Sequence, residues 1–137
     1  MHKTKPACYY IQSGVVPYTK EKDAIKVMLV TSRSGKRWIV PKGIVEPGLT
    51  PVESARKEAL EEAGITGSIE TEPIGSYRYE KWGGTCTVSM FKMEIVTILD
   101  VWEEAGQRSR ELLTIDEAAG RVEEPALKEM IQALREA

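Results

Sequence analysis

The chain has 137 residues, 42% of them apolar and 29% charged, which is enough apolar material for one core and little length for a second, so 1–137 reads as one domain. Acids outnumber bases 21 to 19 for a net charge of −2, without the basic excess of surfaces that bind nucleic acid polymers or anionic membranes. The single histidine, His2, is at the N-terminus, and two cysteines, Cys8 and Cys86, make neither a four-thiolate zinc site nor a disulfide framework, so histidine triads and histidine- or thiolate-bound zinc are excluded.

In chain order, Met1–Pro6 is charged, and the run Ala7–Ile11 that follows is too short for a secretion signal. No stretch approaches the roughly 18 apolar residues of a membrane span. With two unpatterned cysteines, the expected compartment is the reduced cytoplasm. Residues rich in Val, Ile, Tyr and Thr predict strands near 7–18, 25–32, 38–40, 74–82 and 85–98, with turns at Asp23 and at Ser34-Gly35-Lys36. The clearest helix starts at Thr50: Thr50 caps it, Pro51 suits its first position, Glu53 completes a capping box, and Gly64 supplies a left-handed stop. A helical turn is expected near Asp116. A last helix starts near Pro125, with Leu127, Met130, Ile131 and Leu134 on its core side. This order suggests a mixed sheet covered on both faces.

Charge is spread unevenly. Residues 1–48 hold 9 bases and 3 acids, a balance of +6, and residues 49–137 hold 10 and 18, a balance of −8. Chance clustering on solvated faces is one reading. A basic wall facing an acidic one would suit a metal-bound polyphosphate.

The helix from Thr50 carries the acids that matter. At about 100° per residue, Val52, Ala55, Arg56, Ala59, Leu60 and Ala63 form a mostly apolar stripe, while Glu61, Glu58 and Glu62 share another arc about 100° wide. Glu58 and Glu62 are a repelling i,i+4 pair, and Glu61 and Glu62 sit at the helix end that disfavours negative charge. Local stability does not favour this; a solvated acidic face offset by Arg56 and Lys57 is one reading, and a hard cation held through oxygen is the other. The preceding segment, Trp38-Ile39-Val40-Pro41-Lys42-Gly43 and then Ile44-Val45-Glu46-Pro47-Gly48, brings a Pro/Gly-rich loop to the acids, and Gly43 permits close backbone approach.

Together, Gly43 and the run Lys57-Glu58-Ala59-Leu60-Glu61-Glu62-Ala63-Gly64-Ile65 resemble the Nudix hydrolase box: Gly, five residues, Glu, seven residues, Arg-Glu-aliphatic-any-Glu-Glu-any-Gly-aliphatic. Leu49 stands where the box has its first glutamate, Lys57 where it has arginine, and Ala59 where a larger aliphatic is usual. Lysine keeps the charge of arginine and loses its planar fork. The resemblance runs from about Ala7 to Leu134. Beyond the box it is most similar to the diphosphoinositol polyphosphate and diadenosine polyphosphate branch, in Val30–Ser34, in Asp100–Glu104 and in Arg108–Leu112 with the following Ile115–Ala118.

The resemblance implies an α/β/α sandwich with a mixed sheet and Mg²⁺-dependent (or Mn²⁺-dependent) hydrolysis of a phosphoanhydride in a small-molecule polyphosphate, by a monomer or homodimer. It implies Glu58, Glu62 and the Gly43 carbonyl as metal ligands, and Glu61 as general base or further ligand. Glu103, Glu104 or Glu111 would be a fourth carboxylate, each otherwise a solvated charge. Ser32, Arg33, Ser34, Lys42, Arg108 and Arg110 become candidate phosphate contacts. Trp82 or Tyr79 would stack on a base, although core packing or solvent exposure is the plainer reading of each, and Trp38 reads as core. Two other functions stay open: a triphosphate pyrophosphohydrolase of the mutator type, and a module that binds a phosphorylated ligand without cleaving it.

Overall fold

The computed structural model describes residues 5–136; His2 lies outside them. Its frame is one mixed sheet of eight strands. The two central strands, β1 (Ile11–Glu21) and β7 (Gly84–Ile98), run parallel, from Ile11 opposite Thr87 to Tyr18 opposite Glu94. Every other pairing is antiparallel. The far end of β1 pairs with β2 (Ala24–Thr31), and its near end with the three-residue β4 (Lys42–Ile44). The first half of β7 pairs with β6 (Gly75–Lys81), and the second half with β5 (Ile65–Ile69). On the side away from β1, β2 carries β8 (Arg110–Thr114), and beyond the β1 pairing its last two residues pair on the β1 side with β3 (Trp38–Ile39).

Strand alternation divides the core. Val15, Met28, Val30, Phe91 and Met93 face Ala55, Ala59 and Ala63 of the acidic helix. Their chain neighbours Val16, Val27, Leu29, Val88 and Met90 face the opposite layer, formed by α2 (Ile115–Arg121) and α3 (Pro125–Gln132). β1 is buried on both faces from Gln12 to Tyr18, as expected of a central strand. The expected α/β/α sandwich is therefore present. Among the described residues, no helix is long and apolar enough to cross a membrane.

Several boundaries differ from the sequence reading. Residues Ala7–Tyr10 form a 3₁₀ turn, and the first strand begins at Ile11. β4, β5 and β8 were not anticipated. β4 has three residues, β5 is bulged between Thr66 and Gly67, and β8 lies in a segment read for its charges. The acidic helix, α1 (Pro51–Glu58), has the predicted capping box on Thr50 and Glu53. It then widens into a π-type turn over Ala59–Ala63 before Gly64 stops it at φ 65°. α2 begins with a second capping box, Thr114 with Glu117.

Candidate active site

β4 lays its backbone across α1, and the fit there depends on a missing side chain. A methyl on Gly43 would stand 2.4 Å from Glu58 Cδ and 2.6 and 2.7 Å from its two oxygens. Glycine thus lets the Glu58 carboxylate lie flat against the strand. One turn on, Glu62 is 5% exposed. The Lys42 backbone N–H donates to its Oε1 at 3.3 Å, and the Arg108 guanidinium stands 3.8 Å from its Oε2. The π-type turn that presents Glu62 is held from outside: the Trp102 indole N–H donates to the Glu62 carbonyl at 3.0 Å.

Glu58 and Glu62 contact each other through their carboxyls. Burial, then the shared hydrogen bond with Glu58, pushes Glu62 up to about 9, against the pull of Arg108. Burial raises Glu58 as well. At neutral pH the pair therefore retains a proton in an open cleft, an arrangement of two acids that cannot both ionise side by side. A hard dication between the two carboxylates would supply the positive charge that lets both ionise. Mg²⁺ is bound through one or two carboxylates with water and substrate oxygens completing its shell. Glu58, Glu62 and the Gly43 backbone fit such an ion. Among the described residues, no three acidic side chains converge into a closed cage.

Glu61, expected as general base and ligand, is not brought to the cleft with them. Lys57 Nζ holds its Oε2 at 2.6 Å and Glu46 Oε1 at 3.0 Å. The two carboxylates raise the Lys57 ammonium above its usual range. Glu46 thereby supplies an acidic partner for Lys57 in a loop where Leu49 offers none.

The cleft has a volume of about 710 Å³. Of the residues predicted from sequence, Ser32, Arg33, Ser34, Lys42, Gly43, Glu58, Glu62 and Arg108 line it. Ser32 and Ser34 share a hydrogen bond of 3.1 Å at its edge. Arg108 is the most committed of the bases: it donates to Glu104 Oε1 at 2.7 Å and to the Thr31 carbonyl at 2.9 Å. Glu104, one of three candidate extra carboxylates, is buried here and faces Arg33 at 3.9 Å. Glu103 is exposed, and Glu111 pairs with Arg121 on the surface.

Arg110 corrects the sequence reading. It donates to the carbonyls of Ala63 and Leu99, at 2.8 and 2.5 Å, and stacks 3.8 Å over the Trp102 ring. Its charge is spent on an orphan carbonyl at the end of the acidic helix and on one just after β7, outside the cleft lining. Gly64 is enclosed by the same clamp, where a Cβ would meet Trp102 at 2.6 Å and Arg110 at 2.9 Å.

The sequence reading weighed Tyr79 and Trp82 as base-stacking groups and missed Gln12; all three line the cleft. Tyr79 packs against the core, as the plainer reading has it, and also reaches the cleft. Its hydroxyl donates to Gln12 Oε1 at 2.9 Å and accepts from Lys42 Nζ at 3.3 Å, and burial lifts it to about 12. Gln12, 4% exposed, is a polar residue at the start of an apolar strand, and that interruption was the available signal. Trp82 heads the two-residue turn between β6 and β7 at φ 55°, a conformation few large residues adopt. The Tyr10 hydroxyl holds its carbonyl at 2.7 Å, and Tyr9 meets its ring edge-on at 5.4 Å. Trp38 packs against the core, as expected, under the Arg121 guanidinium.

A mixed sheet between helical layers, with a glycine strand laid on an acidic helix, defines a class. The NUDIX domain profile matches residues 11–134, and the chain belongs to the Nudix family. Its relatives include Nudix hydrolase 13, mitochondrial, of Arabidopsis thaliana, 29% identical over 80% of this chain, and this chain spans 65% of that protein's length. The diphosphoinositol polyphosphate phosphohydrolase 3-beta of Bos taurus is 27% identical over 95% of this chain and 80% of its own. Among solved structures, an Ap4A hydrolase of C. elegans superposes with a TM-score of 0.75 at 21% identity, covering 91% of this chain and 95% of that one.

Proposed function

We propose that this protein is a Mg²⁺-dependent hydrolase of a phosphoanhydride in a small molecule, with diadenosine polyphosphates and diphosphoinositol polyphosphates as first candidates. One observation carries the reading. Two carboxyls one helical turn apart, the half-buried Glu58 and the buried Glu62, face a cleft that is also lined by Arg33, Lys42 and Arg108. Nudix relatives named for both substrates support it.

The dication supplies Lewis acidity toward the phosphate oxygens when bound. Glu58, Glu62 and the Gly43 carbonyl would hold it, and Mn²⁺ suits the same oxygen donors. Ser32, Ser34 and Arg33 sit where they can donate to phosphate oxygens, and Lys42 adds charge from the strand side. Arg108 ties the Glu62 wall to Thr31, which fixes the cleft's width. For proton acceptance, Glu58 is better placed than Glu61. It reaches the cleft, whereas Glu61 is turned to Lys57. Glu61 then acts through Lys57, as a positioning residue. Cys8 and Cys86, both unpaired, suit the reducing cytoplasm, and cell fractionation checks that placement.

The test is a panel of about twenty phosphoanhydrides with Mg²⁺ and with Mn²⁺. Metal-dependent turnover of a dinucleoside or diphosphoinositol polyphosphate is the expected result. Pyrophosphate released only from nucleoside triphosphates would move the protein to the mutator type. Calorimetric binding of a polyphosphate with no turnover of any member would make it a binding module.

A further inference from the structure

The wide turn that carries Glu62 ends with carbonyls that no helical N–H can reach. The Gly64 N–H closes the turn on Leu60 and Ala59, at 3.1 Å to the Leu60 oxygen. The carbonyls of Glu61, Glu62 and Ala63 come after that last bond, so their partners must lie outside the helix. One stretch remote in sequence, residues 99–110, supplies them all. The Glu104 N–H donates to the Glu61 carbonyl at 3.1 Å, the Trp102 indole N–H to that of Glu62 at 3.0 Å, and Arg110 to that of Ala63 at 2.8 Å. The Leu99 N–H then takes the Gly64 carbonyl at 2.8 Å.

Trp102 differs from the other donors in its target and in its rigidity. It holds the backbone of Glu62 itself, the residue whose carboxyl enters the cleft. Its side chain is packed against the end of the turn: a methyl on Gly64 would stand 2.6 Å from Trp102 Cβ and 2.8 Å from its Cγ, and the Arg110 guanidinium lies 3.8 Å over the ring. The same loop also reaches the other end of Glu62. Glu104, two residues past Trp102, holds Arg108 at 2.7 Å, and the Arg108 guanidinium stands 3.8 Å from Glu62 Oε2. Glu62 is thus held at its carbonyl and at its carboxyl from one loop. Turns of the π type are rare, and this one has an outside donor on each carbonyl it leaves open.

We propose that Trp102 is a positioning residue for Glu62: its indole N–H holds the wide turn in place, and so sets how tightly the Glu58–Glu62 pair takes a divalent cation. The claim rests on the metal-site reading above for its ligand and on hydrogen-bond geometry alone for the positioning. Without the indole donor the Glu62 carbonyl loses its partner, and the turn is free to relax toward regular α geometry. The Glu62 carboxyl then shifts relative to Glu58 and to the Lys42 N–H that it accepts from at 3.3 Å. Outer contacts that fix the orientation of a metal ligand are worth about 10–100-fold in affinity. Trp102 acts through the backbone, so the lower end of that range is expected.

Trp102→Phe keeps a ring against Gly64 and under Arg110 and removes only the donor. Binding of Mn²⁺ alone, without substrate, is measured on the full chain by electron paramagnetic resonance. Trp102→Phe should weaken it about tenfold. Ile131→Val, a small truncation of a fully buried side chain in the opposite layer, lowers stability by an amount similar to a lost hydrogen bond and should leave Mn²⁺ affinity within twofold. A loss at Trp102 no greater than at Ile131 overturns the positioning role. A second arm needs no metal. The amide resonance of Lys42 reports whether the Glu62 carboxyl is in place, and it should move in Trp102→Phe and stay in Ile131→Val. An unmoved Lys42 amide also overturns the proposal. A third arm needs no variant: in wild-type protein titrated with Mg²⁺, the Trp102 indole N–H resonance should shift with the same midpoint as the Lys42 amide, and an indole that ignores a bound ion overturns the coupling. Wild-type protein that binds neither ion would overturn the metal-site reading, and the metal-free Lys42 amide would then decide the positioning by itself.

Discussion

The two walls of the cleft handle charge in opposite ways. On the acidic wall almost every charge is balanced before any ligand arrives: Glu58 and Glu62 share a proton, Lys57 spans Glu46 and Glu61, and Arg108 spans Glu62 and Glu104. On the basic wall, among the described residues, Arg37, Lys42 and Lys81 have no carboxylate in ion-pair contact. The difference follows from burial. Unpaired charge is very costly where water is excluded, as at Glu62, and tolerable where water reaches, as at Arg37 and Lys81. Binding therefore asks different things of the two sides: the acidic wall must give up a proton, and the basic wall only water.

The largest expected effect comes from removing the acidic pair. Glu58→Gln or Glu62→Gln should reduce Mg²⁺-dependent kcat by about 10³-fold, the scale of losing a charge-stabilising group in the transition state, with the fold intact by circular dichroism. Glu61→Gln should cost clearly less, because its carboxylate faces Lys57. A loss at Glu61 equal to that at Glu58 would return the base role to Glu61. Next in size is Gly43→Ala. The added methyl must displace the Glu58 carboxylate, and a shift of about 1 Å in a positioned group costs about 10²-fold in rate.

A third prediction concerns pH. In metal-free protein Glu62 titrates at about 9, above its unfolded value near 4.5. Between these values the folded state binds more protons than the unfolded one, so stability falls as pH rises through that window. The expected fall in Tm from pH 5 to pH 9 is of order 10 °C. Glu62→Gln should flatten that slope, and added Mg²⁺ should recover stability at the alkaline end. A metal-free Tm that rises across the same range would mean the acidic wall is not protonated at rest.

How much of this the sequence shows depends on the range of the interaction. Thr50, Glu53 and Gly64 mark α1 because capping is local, and their roles hold in the structure. The three-glutamate arc assumed regular helix geometry. The turn Ala59–Ala63 widens to the π type, and Glu61 leaves with Lys57 while Glu62 enters the cleft. Arg110 is expected as a phosphate contact because the segment Arg108–Leu112 is similar to the diphosphoinositol and diadenosine polyphosphate branch. Strand alternation in β8 and the carbonyls of Ala63 and Leu99, remote in sequence, decide otherwise. Glu104 could not be separated from Glu103 by composition; only its burial against Arg108 does that. The pairing of β5 with the end of β7 crosses the chain and leaves no local pattern.

Arg110 supplies a fourth, smaller effect that sharpens the contrast between charges held for structure and charges held for ligands. Arg110→Met keeps the length of the side chain and removes its donors. Two part-buried carbonyls, Ala63 at the end of the acidic helix and Leu99 just after β7, then lose their partners, for about 1–3 kcal/mol, and chemical denaturation should report it. KM for any substrate should stay within twofold. A raised KM with unchanged stability would place Arg110 back on the ligand's side.

The smallest effect is expected at Glu46, and it tests how far the acidic wall's neutrality is local. Lys57 lies between Glu46 and Glu61, all three partly exposed, so the Glu46 pair contributes about 0–1 kcal/mol after solvent screening. Glu46→Gln should therefore leave Tm nearly unchanged and shift Lys57 wholly to Glu61. If Glu61 acts through Lys57, that tighter pair should lower kcat by about twofold to fivefold with KM unchanged. Adding Leu49→Glu in the same loop should restore it by giving Lys57 a second acid again. A Glu46→Gln protein as inactive as Glu58→Gln would show that Glu46 itself reaches the reacting group, which the cleft's lining leaves geometrically open to it.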